Sequence, residues 1–111
     1  MARPTPQGGV TMATCTIVNY EHLIGLVGFE RPSGVARLGP LTFNASGEQS
    51  PVLPYRFTTI QSDKPFKIRF GDAGTDPEMP DASDHRYGAN PSDPMLFPHV
   101  AGARFKIIEV A

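Results

Sequence analysis

The side chains able to act as ligands, acids or nucleophiles are few and scattered. Six acids, Asp72, Asp76, Glu78, Asp81, Asp84 and Asp93, fall between Asp72 and Pro94, and their oxygens are the hard donors that a calcium ion takes. The D-x-[DN]-x-[DN]-G series of an EF-hand is absent, so this stretch reads as a solvated or partner-facing loop rather than a cation cage. His22, His85 and His99 form no H-x-H or H-x-x-x-H pair, and a metal centre on them would have to be assembled by the fold. No serine sits in a G-x-S-x-G elbow, and Gly71-Asp72-Ala73-Gly74 lacks the lysine of a phosphate-cradling loop. Cys15, the single cysteine, has no partner for an internal disulfide and reads as a small buried hydrophobe. These residues predict no catalytic site, no metal and no cofactor. A cupin-like metal-dependent enzyme stays open as an alternative, because jelly rolls include that class.

The charges are separated along the chain. Six acids against Arg86 leave 72–94 at −5, and a whole-chain charge of −1 leaves +4 for the remainder. That balance supplies no general attraction to nucleic acid or to an anionic membrane. Lys67, Arg69, Arg56 and Arg104, interleaved with Tyr55, are expected on an outer sheet face, where four cations without a basic domain read as a solvated strip. No apolar run reaches the roughly 18 residues of a membrane span, and MARPTPQGGVTMATC lacks the apolar centre of a secretory signal. The expectation is a soluble chain made in a cytoplasm, with no nucleic-acid or membrane partner.

Strands must position these groups. At 111 residues the chain fits one domain, and its 12 prolines and 11 glycines favour short strands and many turns over helices. Pro54 to Gly71 carries the clearest pattern. Phe66, Ile68 and Phe70 alternate with Lys67 and Arg69, while Tyr55, Phe57 and Thr59 alternate with Arg56 and Thr58 across a Gln61–Pro65 connection. A period of two puts each set on one face, so the stretch predicts a β-hairpin whose core face is Phe57, Phe66, Ile68 and Phe70.

Around it, Met12–Tyr20 predicts a first strand, His22–Phe29 a buried strand with a bulge, and Val35–Phe43 a strand bent at Gly39-Pro40, with the proline at an edge or bulge. NASGEQSP reads as a loop, Met95–Phe97 as a brief strand and Arg104–Val110 as the last one. In that last strand Phe105 and Ile107 share one face while Ile108 and Val110 share the other, so both faces need covering, by another subunit if not by this one. Residues 1–11 read as an arm, 12–111 as one domain, and 72–94 as a connection long enough to be functional or ordered by a partner. The fold class expected is all-β, a single antiparallel β-sandwich or jelly-roll-like domain with an N-terminal arm and one long acidic loop. Its expected core is Ile17, Leu23, Leu26, Val35, Leu41, Phe57, Phe66, Ile68, Phe70 and Phe105.

The run YRFTTIQSDKPFKIRFGDAGT and, after the acidic loop, DPMLFPHVAGARFKIIEV resemble a pattern in small bacteriophage virion proteins. There a strand ending in RFG precedes a variable loop, a short strand ending near a proline, and a closing G-x-x-F-x-I-I strand. The resemblance covers about the C-terminal half. It implies a non-enzymatic virion structural protein, a capsid decoration or cement protein that bridges neighbouring shell subunits, often as a homotrimer. Its expected partner is a major capsid or other virion protein.

A disulfide-free β domain with an arm, a long loop and a two-faced last strand is compatible with a module that gains stability from its neighbours. Interface residues are accordingly expected at Arg3 and Pro4 in the arm, at Asp76, Asp81, Asp84, His85, Arg86 and Tyr87 in the loop, and at Ile108 and Val110. A glycan- or host-surface-binding module of a virion is the other binding alternative, with Tyr20, Tyr55 and Tyr87 and no tryptophan for sugar stacking.

Overall fold

The computed structural model describes residues 12–22 and 34–111. Arg3, Pro4, the rest of the arm, the expected strand over His22–Phe29 beyond His22, and the core positions Leu23 and Leu26 lie outside the described residues. Seven strands are described: β1 (Ala13–Tyr20), β2 (Val35–Phe43), β3 (Glu48–Gln49), β4 (Phe57–Ser62), β5 (Phe66–Phe70), β6 (Met95–Pro98) and β7 (Phe105–Glu109). They form two antiparallel sheets, ordered β2-β1-β4-β6 and β3-β7-β5, with no helix among the described residues. This is the all-β, two-sheet architecture that the sequence predicts, except that NASGEQSP, read as a loop, contributes β3.

The hairpin is the main correction. β4 pairs with β1 and β6, whereas β5 pairs with β7, so the two strands belong to opposite sheets and the connection between them is an arch. The cause lies in four residues. Asp63 still belongs to the first sheet, its N–H donating to Thr14 O at 3.1 Å while its Oδ1 accepts from Thr14 N at 2.8 Å. The Ser62 hydroxyl donates to Lys64 O and accepts from Lys64 N, which closes a tight corner. Pro65 has no N–H to continue a ladder, and its carbonyl already accepts from Val110 N beside the second sheet.

Because the strand turns over at this corner, β4 presents Thr58, Ile60 and Ser62 inward, all fully buried, and leaves Phe57 half-buried on the outer face under the Arg56 guanidinium at 5.7 Å. Phe57 is therefore not a core residue and Ile60 is. Val35 likewise stands on the outer side, opposite Tyr20.

The core fills the space between the sheets. Ala13, Cys15, Ile17, Phe43, Ile60 and Phe97 from one side meet Phe66, Ile68, Phe105 and Ile107 from the other, with Leu53 at one end and Leu41 and Phe70 packed against them. Phe70 makes an edge contact with Phe105 at 5.3 Å and lies 5.6 Å from Phe97. At the edge strand β2, Thr16 pairs with Pro40 and Val18 with Arg37, so Leu38 and Gly39 together oppose Ile17. The extra residue makes a bulge, Gly39 takes φ of +111°, and Pro40 sits on an edge, as the sequence predicts.

Candidate functional site

The outer face of the second sheet is built from β5 and β7. Period two points Lys67 and Arg69 outward, beside Ile108 of β7. The acidic connection folds back over this face instead of standing away from it. Arg69 Nη1 donates to Glu78 Oε1 at 3.1 Å, and Nη2 donates to Asp84 Oδ2 at 2.7 Å and lies 3.4 Å from Asp81 Oδ1. Lys67 Nζ donates to the Asp81 carbonyl at 3.1 Å. Asp76 Oδ1 accepts from Arg104 and Gln49, so the start of the connection is pinned as well.

An apolar contact accompanies the ionic ones. A Cβ on Gly47, whose φ is +94°, would stand 2.6 Å from Met79 Sδ and 3.1 Å from Ile108 Cγ2, so Met79 lies over that turn beside Ile108. The outer side of the last strand, expected to need covering by another subunit if not by this one, receives part of its cover from the chain's own loop, whose Pro77 and Pro80 are buried.

Electrostatics within the clamp reinforce it. The hydrogen bond that Arg69 donates to Asp84 raises the guanidinium pKa above its ordinary value. Ser83, whose hydroxyl and N–H both donate to Asp81 Oδ1, holds the Asp81 carboxyl below the usual carboxylate range, with Arg69 adding to the effect.

Past the clamp the connection reaches the end of the sandwich that carries both the C-terminus and the first described residues. Tyr87 exchanges two backbone hydrogen bonds with Phe66, its ring stacks on Phe66 at 5.3 Å and meets Phe97 edge-on, and His85 packs edge-on to it at 4.5 Å. Arg86 Nε donates to the Ala111 carbonyl at 3.0 Å. Asn90 ties the connection to β4, accepting from Ser62 N and donating to Ile60 O.

The structure thus brings Asp81, Asp84, His85, Arg86 and Tyr87 together along one rim, with Val110 bonded to Pro65 beside them. Asp76 lies at the other end of the connection. Tyr87 is spent partly on the core. The expected cationic strip divides: Lys67 and Arg69 hold the loop, Arg104 holds Asp76, and Arg56 lies over Phe57 beside the other sheet.

A second constellation escaped the sequence reading. Asn19 is fully buried in β1, and its Nδ2 contacts Tyr55 O, Phe57 O and Thr58 Oγ1 at 3.2, 3.0 and 2.9 Å while its Oδ1 accepts from Tyr55 N at 2.7 Å. Thr58 Oγ1 lies 2.6 Å from His99 Nε2, and His99 Nδ1 lies 2.8 Å from Val100 O. The imidazole stacks on Phe70 at 4.9 Å, and burial lowers its pKa. A hydroxyl beside an imidazole is the pairing of a nucleophile and its base, but Thr58 has no solvent-exposed surface for a substrate to reach, and the network is structural. The available signal was Asn19 itself, since asparagine is depleted in strands and stands here among β-branched residues.

Val52, Gly74, Thr75, Gly102 and Arg104 line a groove of about 270 Å³ at the end opposite the C-terminus and the first described residues. Among the described residues no three His, Cys, Asp or Glu side chains are grouped to hold a metal ion, and burial pushes the Cys15 thiol up to about 12. Compared with protein-family models, with curated proteins and with solved structures, the chain matches none.

Proposed function

We propose that this protein is a non-enzymatic bacteriophage structural protein that decorates or cements the capsid, bridging neighbouring shell subunits as a homotrimer. The observation that supports the reading is the rim formed by Asp81, Asp84, His85 and Arg86 beside the C-terminus and the Thr14–Asp63 pair from which the N-terminal arm departs. The 85–87 stretch of the loop, the first described residues and the C-terminus lie at one end of the sandwich, so a single partner surface can engage all three. Multipoint attachment of that kind raises avidity without requiring a large contact at any one point. The clamp also holds the loop in one shape before docking, which lowers the ordering entropy lost on binding.

The partner is a major capsid or other virion protein, and the place of action is the virion. The test is mass spectrometry of gradient-purified particles, followed by co-sedimentation of the full chain and of a variant lacking residues 1–11. The full chain should be a particle component, sediment with particles and form a trimer in analytical ultracentrifugation, and the shortened chain should sediment less while melting at nearly the same temperature. A monodisperse monomer found in no particle fraction rejects the proposal.

A further inference from the structure

We propose that His99 is an acid-sensitive latch: its neutral ring closes a hydrogen-bond relay running from Asn19 through Thr58 to Val100, and protonation of the ring opens the relay and frees the 99–103 turn. The inference is independent of the docking reading, because it concerns the opposite end of the sandwich.

The direction of the relay follows from donors and acceptors alone. A carbonyl only accepts, so the 2.8 Å contact with Val100 O requires the proton on Nδ1. Nε2 of a neutral ring then carries a lone pair, and the 2.6 Å contact requires Thr58 to donate to it. With its proton so committed, Thr58 Oγ1 accepts from Asn19 Nδ2 at 2.9 Å. Each group has one role, and the chain of bonds runs one way.

A proton on Nε2 reverses the last link. Nε2 becomes a donor, Thr58 Oγ1 would accept from both Asn19 and His99, and its own hydrogen would have to leave the relay inside a fully buried site.

Among the described residues, the elements around the ring supply no acidic side chain to stabilise the new charge. β4 contributes Thr58, β5 contributes the Phe70 ring stacked on the imidazole, the 55–57 segment contributes the Arg56 carbonyl that accepts from His99 N, and the turn itself contributes Val100. Of those residues only Arg56 is ionisable, and its guanidinium lies over Phe57 on the outer face. Arg104, on the same turn, is paired with Asp76. Burial accordingly lowers the His99 pKa, with the Val100 carbonyl opposing in part.

The His99 bonds anchor one side of the turn; the other side is anchored by Gly102 N donating to Leu53 O at 2.7 Å and Leu53 N donating to Ala103 O at 2.8 Å, and Ala103 N donates to Val100 O at 3.3 Å within it. It carries exposed Val100, and Gly102 forms one wall of the 270 Å³ groove. Opening the latch therefore changes an exposed surface and leaves the Phe66, Phe105 and Ile107 core in place.

NMR on the full chain tests this in two steps. At pH 7.5 the His99 ring nitrogens should show the Nδ1–H tautomer, and an Nε2–H tautomer overturns the relay. Between pH 7 and pH 5, normalised hydrogen-exchange protection of the His99, Gly102 and Ala103 amides should fall, by up to about tenfold per pH unit within the window between the free-histidine and the folded-state pKa. Protection of the Ile60 and Ile107 amides should hold.

His99→Gln retains an acceptor for Thr58 but cannot titrate, and it leaves His22, His85 and every carboxylate in place. The acid loss should vanish in that variant, and its persistence overturns the proposal. Thr58→Val gives an independent reading: the turn should be poorly protected already at pH 7, with little further loss at pH 5, and a wild-type pH profile in this variant also overturns it.

Discussion

Arg69 donates to Asp84 at 2.7 Å, and that bond ties the outer face of β5 to a point fifteen residues further along the acidic connection. One guanidinium serves three carboxylates, since Glu78 and Asp81 lie within 3.4 Å of the same side chain. Replacing Arg69 by Met keeps the aliphatic stem over the sheet and removes every ionic contact. Limited proteolysis should then cut between residues 74 and 86 several times faster than in the wild type, while far-UV circular dichroism stays unchanged. High salt should bring the wild type partway toward the variant, because the Glu78 and Asp81 contacts are exposed and screened over about 8 to 10 Å. Equal cleavage of the two proteins would show that packing of Met79, Pro77 and Pro80 alone orders the connection.

The reassignment of β4 makes a stability prediction opposite to the hairpin reading. Phe66→Ala removes a fully buried ring and should cost about 3 to 5 kcal/mol, and Ile60→Ala about 2 to 5 kcal/mol. Phe57→Ala, on the outer face, should cost less than either. Urea denaturation of the three variants decides the matter, and a Phe57 loss exceeding the Ile60 loss would contradict the register.

Asn19→Ala should destabilise the protein more than its small volume change implies. The substitution strands the Tyr55 N–H and weakens the satisfaction of the Tyr55 and Phe57 carbonyls, and each buried group left without a partner costs about 1 to 3 kcal/mol. We expect a loss of at least about 2 kcal/mol in thermal or urea unfolding, and a measured loss under 1 kcal/mol would show that water replaces the amide.

Cys15 gives an alkaline prediction with a definite sign. Its folded pKa is raised to about 12 from an ordinary 9.0, chiefly by burial. The unfolded thiol ionises first, so its contribution to stability is intact below pH 9 and is lost between pH 9 and pH 12, at up to about 1.4 kcal/mol per pH unit. Cys15→Ala should remove that part of the alkaline slope. At pH 8 the native thiol should react with a thiol reagent only as fast as the protein opens. Rapid labelling of folded protein would contradict the burial of Cys15.

How much of this was legible in the sequence depends on the range of the interaction. Alternation in Phe66–Phe70 identified a strand and its core face, the prolines and glycines excluded helical packing, and Gly39-Pro40 marked the bend of an edge strand. All of these are local: a side chain's face is set by the two-residue period and a proline's limits by its own ring.

Alternation does not say which of two faces is inward when both carry apolar groups, nor which strand lies alongside. Phe57 and Ile60 are three positions apart and so sit on opposite faces, and only the corner at Ser62–Pro65, held by bonds to Thr14 and Val110, selects Ile60 for the core. The charge split between 72–94 and the rest of the chain was plain in the sequence, but not that the attraction is met within the chain. That outcome needs Arg69 and Asp84 within 2.7 Å of each other. The relay from Asn19 to His99 spans three chain segments far apart in sequence, Thr58 standing 39 positions after Asn19 and His99 standing 41 positions after Thr58. A hydrogen bond is satisfied or lost over tenths of an ångström, a precision that pairing of β1, β4 and β6 in one sheet supplies and that residue order alone does not encode in readable form.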